Sequence, residues 1–488
     1  MTSSPAPYDG FTSLPLAGTW RTGKGEPRQD VDPWTGDVLL EIPQADLADA
    51  EEAMDAARSA QRAWAERLPR ERAAVMAAAA DVLRRRKDEV TRWLIREGGS
   101  TVAKAEAEWA ATVADFTEAA SLPHRASGRI MPSDVPGKES RVYRTPLGVA
   151  LVISPWNWPL HLSCRSVAPA LALGNAVVLK PAGDTPVTGG LLIAKILQEA
   201  GLPAELLSVL VAPGGEVGDT LVEHPVPRLV SFTGSTPVGK GISAKAGIKK
   251  LALELGGNAP LVVLDDADVD RAVDAAVFGS FFHQGQICIR TNRVIVDDTL
   301  HDHFVERFTA RVGELTAGDP SDPATDIGPV VNRKQLDGIT DLVQRSVDSG
   351  AELLTGGDAR GPSGLLLPPH VLLGTAGCPT AAEEVFGPVA TVLRAADEEH
   401  ALALANDTEY GLSSAVFTGD AERGVRFALR VDAGMTHVND QTVNDQANTA
   451  FGGEKDSGLG RFGGDWALEE FTTDHWVSVQ HTPRTYAF

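Results

Sequence analysis

Six stretches of this 488-residue sequence carry side chains of the types that acyl and redox chemistry need. The first is FFHQGQICIRTNR, residues 281–293, with Cys288 between Ile287 and Ile289 and Gly285 just before. A helical pattern starting at Asp268 leads into it, and a strand-like NRVIV follows from Asn292. A thiol at such a junction can face a cleft and act as a nucleophile. The plainer reading is a small buried hydrophobe, as most free cysteines are. What favours the nucleophile is the company Cys288 keeps elsewhere in the chain.

PWNWP, residues 155–159, holds Asn157 between two prolines and two tryptophans. A stiff side-chain amide suits an oxyanion, because it need not reorganise as charge develops. An asparagine bonded to its own backbone in a proline-rich turn is the alternative. Lys180 closes the run AVVLK, where a lysine can donate to a ribose or phosphate or simply stay solvated. In TGSTPVGKG, residues 233–241, Ser235 or Thr236 can cap a helix whose N-terminus would accept a pyrophosphate. That stretch keeps P-loop spacing as far as Lys240. Gly241 then stands where a magnesium-binding Ser or Thr is required, which argues against a nucleotide triphosphatase. The GxGxxG fingerprint is absent as well. Glu254 sits in the apolar run LALELGG, where burial would raise its pKa towards that of a general base. The alternative is a glutamate paired with an arginine. In EEVFGP, Glu384 and Phe386 would share a face of a strand, a carboxylate for ribose hydroxyls beside a ring for a flat heterocycle. Together these residues supply a nucleophile, an oxyanion donor, a base and groups for a dinucleotide.

The elements that must position them follow from pattern. VALVIS, AVVLK, LLSVLV, RLVSF and LALEL alternate with helical or loop segments, and a second series runs through PLVVL, NRVIV, PVATVL, SSAVFT and MTHVN. Two doubly wound α/β domains are expected, with ligands at the carboxyl ends of strands. Residues 45–121 read as amphipathic packing helices without chemistry of their own. Pro132, Pro136 and Gly137 punctuate a hairpin over 128–146 with little apolar surface, and the tail strand DHWVSVQ can pair with it. A net charge of −22 argues against nucleic acid and anionic membranes as partners. The three cysteines, Cys164, Cys288 and Cys378, lie far apart without metal-ligand spacing. No disulfide framework and no metal are expected. MTSSPAPYDG lacks the pattern of a secretory leader, so a reducing cytoplasm is the expected location.

PWNWP, LKPA, FTGST, LELGG, GQICIR, EEVFGPV, NDTEYGLSSAVFT and FGGEKDSGLGR stand here in the order and spacing of the aldehyde dehydrogenase superfamily. The chain resembles that family over nearly its whole length. HLSCRSVAPALALGNAVVLKP, AGMTHVNDQ and EEFTTDHW most resemble the branch that oxidises benzaldehyde and vanillin. The resemblance implies an oxidation of an aromatic aldehyde to its carboxylic acid. Cys288 would attack the carbonyl, and Asn157 with the Cys288 N–H would hold the oxyanion. Hydride loss would leave a thioester, which Glu254 would hydrolyse. Glu254 and the positive cofactor ring would help the thiol to ionise.

For the cofactor, NAD or NADP, the resemblance implies Ser154, Pro155, Trp156, Lys180, Gly183, Gly234, Ser235, Glu384 and Phe386. Gly183 departs from the glutamate that many NAD-preferring relatives carry there, so use of both cofactors is expected, with Asp184 a possible NAD selector. Trp158, Leu162 and Arg165 share a helical face and, with Ile287, are expected at the substrate pocket. Arg165 either meets a ring oxygen or, the favoured reading, bridges to an acidic neighbour.

The family organisation implies a cofactor domain (1–127 and 147–256, with 452–473 returning to it) and a catalytic domain (257–451). Residues 128–146 and 474–488 would form an oligomerisation element of a homodimer or homotetramer. Rivals are an aliphatic or semialdehyde dehydrogenase, a thioester-releasing enzyme that uses coenzyme A, which Glu254 argues against, and a silent paralogue, which would be expected to lose Cys288, Glu254 or Asn157.

Overall fold

The computed structural model describes residues 5–488; residues 1–4 of the N-terminal stretch read for a leader lie outside the described residues. The first alternating series forms a six-stranded sheet. Its order is Gly458–Leu459, Lys250–Glu254, Pro227–Thr233, Val149–Ile153, Ala176–Lys180 and Leu207–Val209. All pairings are parallel except that of the short edge strand Gly458–Leu459. Ala176–Lys180 is buried throughout, as strands covered by helices on both faces must be. The chain starts this sheet with the strand Val149–Ile153, moves outward one way, then returns to lay Pro227–Thr233 on the other side. Two neighbouring strands therefore diverge at their carboxyl ends, and a crevice opens there. Asn157 follows one of them, and Gly234 and Ser235 follow the other.

The second series forms a seven-stranded sheet in the order Glu352–Thr355, His370–Leu373, Val389–Ala395, Thr291–Asp297, Ala259–Val263, Ser413–Phe417 and Met435–Val438. Only the first of these is antiparallel to its neighbour. Residues 255–258 are all that separates the last parallel strand of one sheet from an interior strand of the other. The carboxyl end of Lys250–Glu254 therefore leads straight to the amino end of Ala259–Val263. Glu254 stands on the first side of that junction. Cys288, and Glu384 with Phe386, stand on the second, each just before a strand.

EEVFGP is not the strand expected above. Residues 383–388 are an extended loop between the short helix Pro379–Ala382 and the strand Val389–Ala395. Its polar backbone is taken up elsewhere: Arg290 donates to Val385 O at 2.8 Å and also to Val389 O, and Val385 N donates to Asn292 Oδ1 at 3.3 Å. Side chains of the Cys288 turn thus occupy the partners that a ladder would have used.

The tail strand Thr472–Gln480 runs antiparallel to Lys138–Pro146 along its full length, with Arg129–Met131 beyond. Contrary to the sequence reading, this small sheet does expose apolar side chains: Ile130, Tyr143, Trp476 and Val477. Among the described residues no helix is long and apolar enough to cross a membrane.

Candidate active site

Cys288 sits half-buried on a turn whose backbone is set by an unusual run. His283, Gln284 and Gly285 all have positive φ, at 52°, 56° and 67°. Side chains rarely tolerate this region, so the turn must be over-determined by its surroundings. It is: Gln284 Nε2 donates to Gly99 O and Pro329 O at 3.1 and 2.9 Å, and Gln286 Oε1 accepts from Val331 N at 3.0 Å. A Cβ on Gly285 would stand 2.1 Å from Gly387 O, and one on Gly257 would stand 2.2 Å from Cys288 O. Only glycine fits at both places. The two positive-φ residues other than glycine carry no sequence signal that reading by pattern detects.

Asn157 is held from both ends. Its Nδ2 donates to Gln286 O at 2.9 Å, which leaves the second N–H of the amide free. Its carbonyl accepts from Lys104 Nζ at 2.7 Å. Lys104 is completely buried and pairs with buried Glu108, whose Oε1 accepts from Leu160 N and His161 N at 2.9 and 3.3 Å. Glu108 thus caps the helix Pro159–Ala172, where Trp158 supplies no side-chain cap. Lys104 and Glu108 lie on the helix Val102–Ala119. They belong to the region read above as helices without chemistry, and their spacing of four residues was the only available signal.

Two cavities meet at the thiol. One, of about 790 Å³, is lined by Pro155, Trp156, Gly234, Ser235, Glu384 and Phe386. The other, of about 780 Å³, is lined by Trp158, Phe278, Phe282, Ile287, Ile289 and Phe451. Asn157, Leu162 and Cys288 border both. Ser154 lies behind the first wall, bonded to Ser163 Oγ at 2.7 Å. Lys180 ends its strand outside that lining, and burial together with Arg28 pulls its pKa down to about 8. Gly183 borders a different hollow with Arg28, whose guanidinium lies 2.6 Å from where a Cβ would be. Asp184, the candidate NAD selector, pairs with Arg28 at 3.0 Å.

The first cavity fits a nicotinamide dinucleotide. Ser235 and Gly234 open the helix Thr236–Lys245 towards it, and Ser235 makes no capping bond. Phe386 meets Trp156 edge-on with ring centres 5.3 Å apart. Glu384 accepts from Gly257 N at 2.8 Å, and a Cβ on Gly256 would stand 2.6 Å from its other oxygen. Burial, offset by that bond and by Arg290, pushes Glu384 up to about 7.

Arg165 does not line the aromatic cavity, contrary to the shared-face expectation. It is buried, reaches Asp445 at 3.3 Å, and lies over Phe451 and Phe462 at 4.3 and 4.8 Å from the ring centres. The helix starts only at Pro159, so Trp158 stands on non-helical backbone at the cavity mouth and Arg165 lies almost two turns deeper. A guanidinium at that depth needs a counterion, and Asp445 supplies it.

Glu254 is 1% exposed, and neither carboxylate oxygen has a hydrogen-bond partner. Burial pushes its pKa up to about 8, with Arg165 opposing and Asp445 assisting. Burial, then the Glu254 charge, pushes the Cys288 thiol up to about 12. As a charge, Glu254 opposes the thiolate it was expected to help; it can assist only by accepting the proton. A group raised to about 8 is available as a base in a fraction that grows as pH rises through that value. Steady-state turnover limited by Glu254 is therefore expected to rise with pH through about 8 and then level off, read as a kcat–pH profile. A flat profile from pH 6.5 to 9.5 would contradict this.

A thiol between a cavity suited to a dinucleotide and an apolar one, on paired doubly wound sheets, is the arrangement of a nicotinamide-dependent dehydrogenase. The chain belongs to the aldehyde dehydrogenase family, whose model matches residues 20–477. It is 49% identical to a vanillin dehydrogenase of Corynebacterium glutamicum over 99% of this chain and 100% of that one. It is 44% identical to a benzaldehyde dehydrogenase of Bacillus subtilis over 99% of both. Among solved structures, an NAD-dependent benzaldehyde dehydrogenase from Corynebacterium glutamicum matches with a TM-score of 0.90 at 45% identity, covering 99% of both chains. A salicylaldehyde dehydrogenase from Pseudomonas putida G7, complexed with salicylaldehyde, matches with a TM-score of 0.94 at 36% identity, covering 98% of this chain and 99% of that one.

Proposed function

We propose that the chain oxidises an aromatic aldehyde to its carboxylic acid with NAD or NADP. The observation that carries this reading is the apolar, aromatic-walled cavity ending on Cys288 directly opposite the cavity suited to a dinucleotide. The aldehyde ring lies between Trp158 and the pair Phe278 and Phe282, which stack with centres 4.6 Å apart. Cys288 Sγ attacks the carbonyl carbon. The oxygen, now negative, takes the second Asn157 N–H and the Cys288 backbone N–H, each such donor being worth about 10²–10³ in rate. A nicotinamide bound beside Glu384 and Phe386 would supply the hydride acceptor that converts the thiohemiacetal to a thioester. Glu254 then takes a proton from water, the hydroxide adds to the thioester carbon, and Cys288 leaves as the acid forms.

Initial rates with benzaldehyde, vanillin, a hydroxybenzaldehyde, hexanal and succinic semialdehyde, each with NAD and NADP, test this. The aromatic aldehydes are expected to lead by tenfold or more, and a lead by hexanal or the semialdehyde would overturn the aromatic reading. Gly183 offers no carboxylate and Asp184 is engaged by Arg28. Both cofactors are therefore expected to work, with kcat/KM values within a hundredfold; a larger preference for NAD would contradict that.

The domain boundaries given above are part of the same proposal, supported by the two sheets and the separate three-stranded one. The exposed Ile130, Tyr143 and Trp476 support a homodimer or homotetramer formed through that small sheet. Three free cysteines support a reducing compartment, the cytoplasm.

A further inference from the structure

The aromatic cavity has one carboxylate in its wall. Asp445 borders it, with His161 beside it, among side chains that are otherwise almost all apolar. Asp445 Oδ2 accepts from His161 Nε2 at 2.9 Å and from Arg165 Nη1 at 3.3 Å. His161 Nδ1 lies 2.8 Å from Asp115 Oδ2. Burial works against a charged His161, but the two carboxylates outweigh it and push its pKa up to about 10. A carboxylate faces each ring nitrogen, an arrangement that favours an imidazolium donating from both. Burial likewise opposes the Asp445 charge, and His161 and Arg165 outweigh it, so the carboxyl lies below its usual range. Two fixed cations grip one oxygen. Both of these bonds are to Oδ2, and no hydrogen bond to Asp445 Oδ1 is found among the described residues.

The reaction derived above uses none of Asp445, His161, Arg165 or Asp115. A fixed, ionised acceptor at the wall of an aromatic pocket is idle with benzaldehyde itself, which has no ring donor. We infer that Asp445 is a specificity-determining residue: its free oxygen accepts a hydrogen bond from a ring hydroxyl, so the enzyme selects hydroxylated aromatic aldehydes. His161 and Arg165 are positioning residues that orient it. This rests on the reading that the aldehyde is aromatic and lies in this cavity. Another free polar group there, the buried and unpartnered Trp158 indole N–H, donates to a hydroxyl or an ether oxygen alike and so does not discriminate between them. Asp445 also borders a smaller cavity with Asp115 and Glu118.

The test compares 2-, 3- and 4-hydroxybenzaldehyde with the matching methoxybenzaldehydes, which keep the oxygen and lose the donor. The readout is the ratio of the two kcat/KM values at each ring position, so any effect of the substitution on the chemistry common to both substrates cancels. In the unaltered enzyme the hydroxyl is expected to lead by tenfold or more at one position at least. In Asp445→Ala that ratio is expected to fall at least tenfold. Asp445→Asn keeps the shape and the Arg165 contact but is a weaker, neutral acceptor, and its ratio is expected to fall at least threefold. Asparagine alone decides the matter if the alanine variant fails to fold. Hexanal is run alongside. If aromatic aldehydes lead hexanal but the ratio stays within twofold in the variants that fold, this inference is wrong and the aromatic reading stands. If hexanal leads in the unaltered enzyme, both fall together.

Discussion

Cys288→Ala is expected to stop aldehyde oxidation, with kcat falling roughly 10⁴-fold or more, as when a covalent nucleophile is removed elsewhere. The substitution deletes only Sγ. The backbone N–H of residue 288 and the amide of Asn157 remain, and Gln284 and Gln286 still anchor the turn. The cofactor cavity keeps Glu384, Phe386, Gly234 and Ser235, so quenching of protein fluorescence by the reduced dinucleotide should persist. The loss should fall on kcat and appear equally with every aldehyde. Turnover above about a hundredth of the unaltered rate would remove Cys288 as nucleophile. Loss of cofactor binding as well would point to a structural role for the thiol instead. Incubation of the unaltered enzyme with aldehyde and cofactor, followed by acid quenching, should reveal an acyl adduct by mass that the variant lacks.

Glu254→Gln is expected to separate the two halves of the reaction. The thiohemiacetal and thioester should still form, giving a burst of reduced cofactor near one equivalent per site. Steady-state turnover should then fall about 10²–10⁴-fold, the usual contribution of a general base. The rise in kcat through pH 8 should vanish with it, because the group that titrates there is gone. Glutamine matches glutamate in shape, and neither oxygen of Glu254 holds a partner that the fold would lose. Removing a carboxylate that burial makes costly to ionise should leave the melting temperature unchanged or raise it. Loss of the burst would place Glu254 in acylation rather than hydrolysis, and a marked fall in melting temperature would make it a structural group.

Much of this site was legible before any coordinates. Cys288, Asn157 and Glu254 were identifiable because each combines an unusual residue type with a constraining neighbourhood: a thiol beside glycine, an amide between prolines, and a carboxylate inside an apolar run. Each parallel strand of both sheets except His370–Leu373 was visible as an apolar run, since strands covered on both faces must be apolar throughout. Lys104 and Glu108 were not legible, because a buried ion pair at four-residue spacing reads like any solvated helix pair. Glu384 and Phe386 were proposed on a strand, and that premise was wrong: the segment is a loop, although both side chains do line one cavity.

The amino-acid sequence alone determines the two alternating α/β series and singles out candidates for the nucleophile, the oxyanion donor and the base, because local pattern and residue chemistry carry that information. Only the tertiary structure decides that the carboxyl ends of one sheet face the amino ends of the other. This is why Cys288 and Glu384 precede their strands while Asn157 and Ser235 follow theirs. It also decides that Arg165 turns inward to a counterion and leaves Asp445 at the aromatic cavity. The pairing of Arg165 with Asp445 spans 280 residues. The energy of such a contact depends on burial that no local stretch of sequence contains.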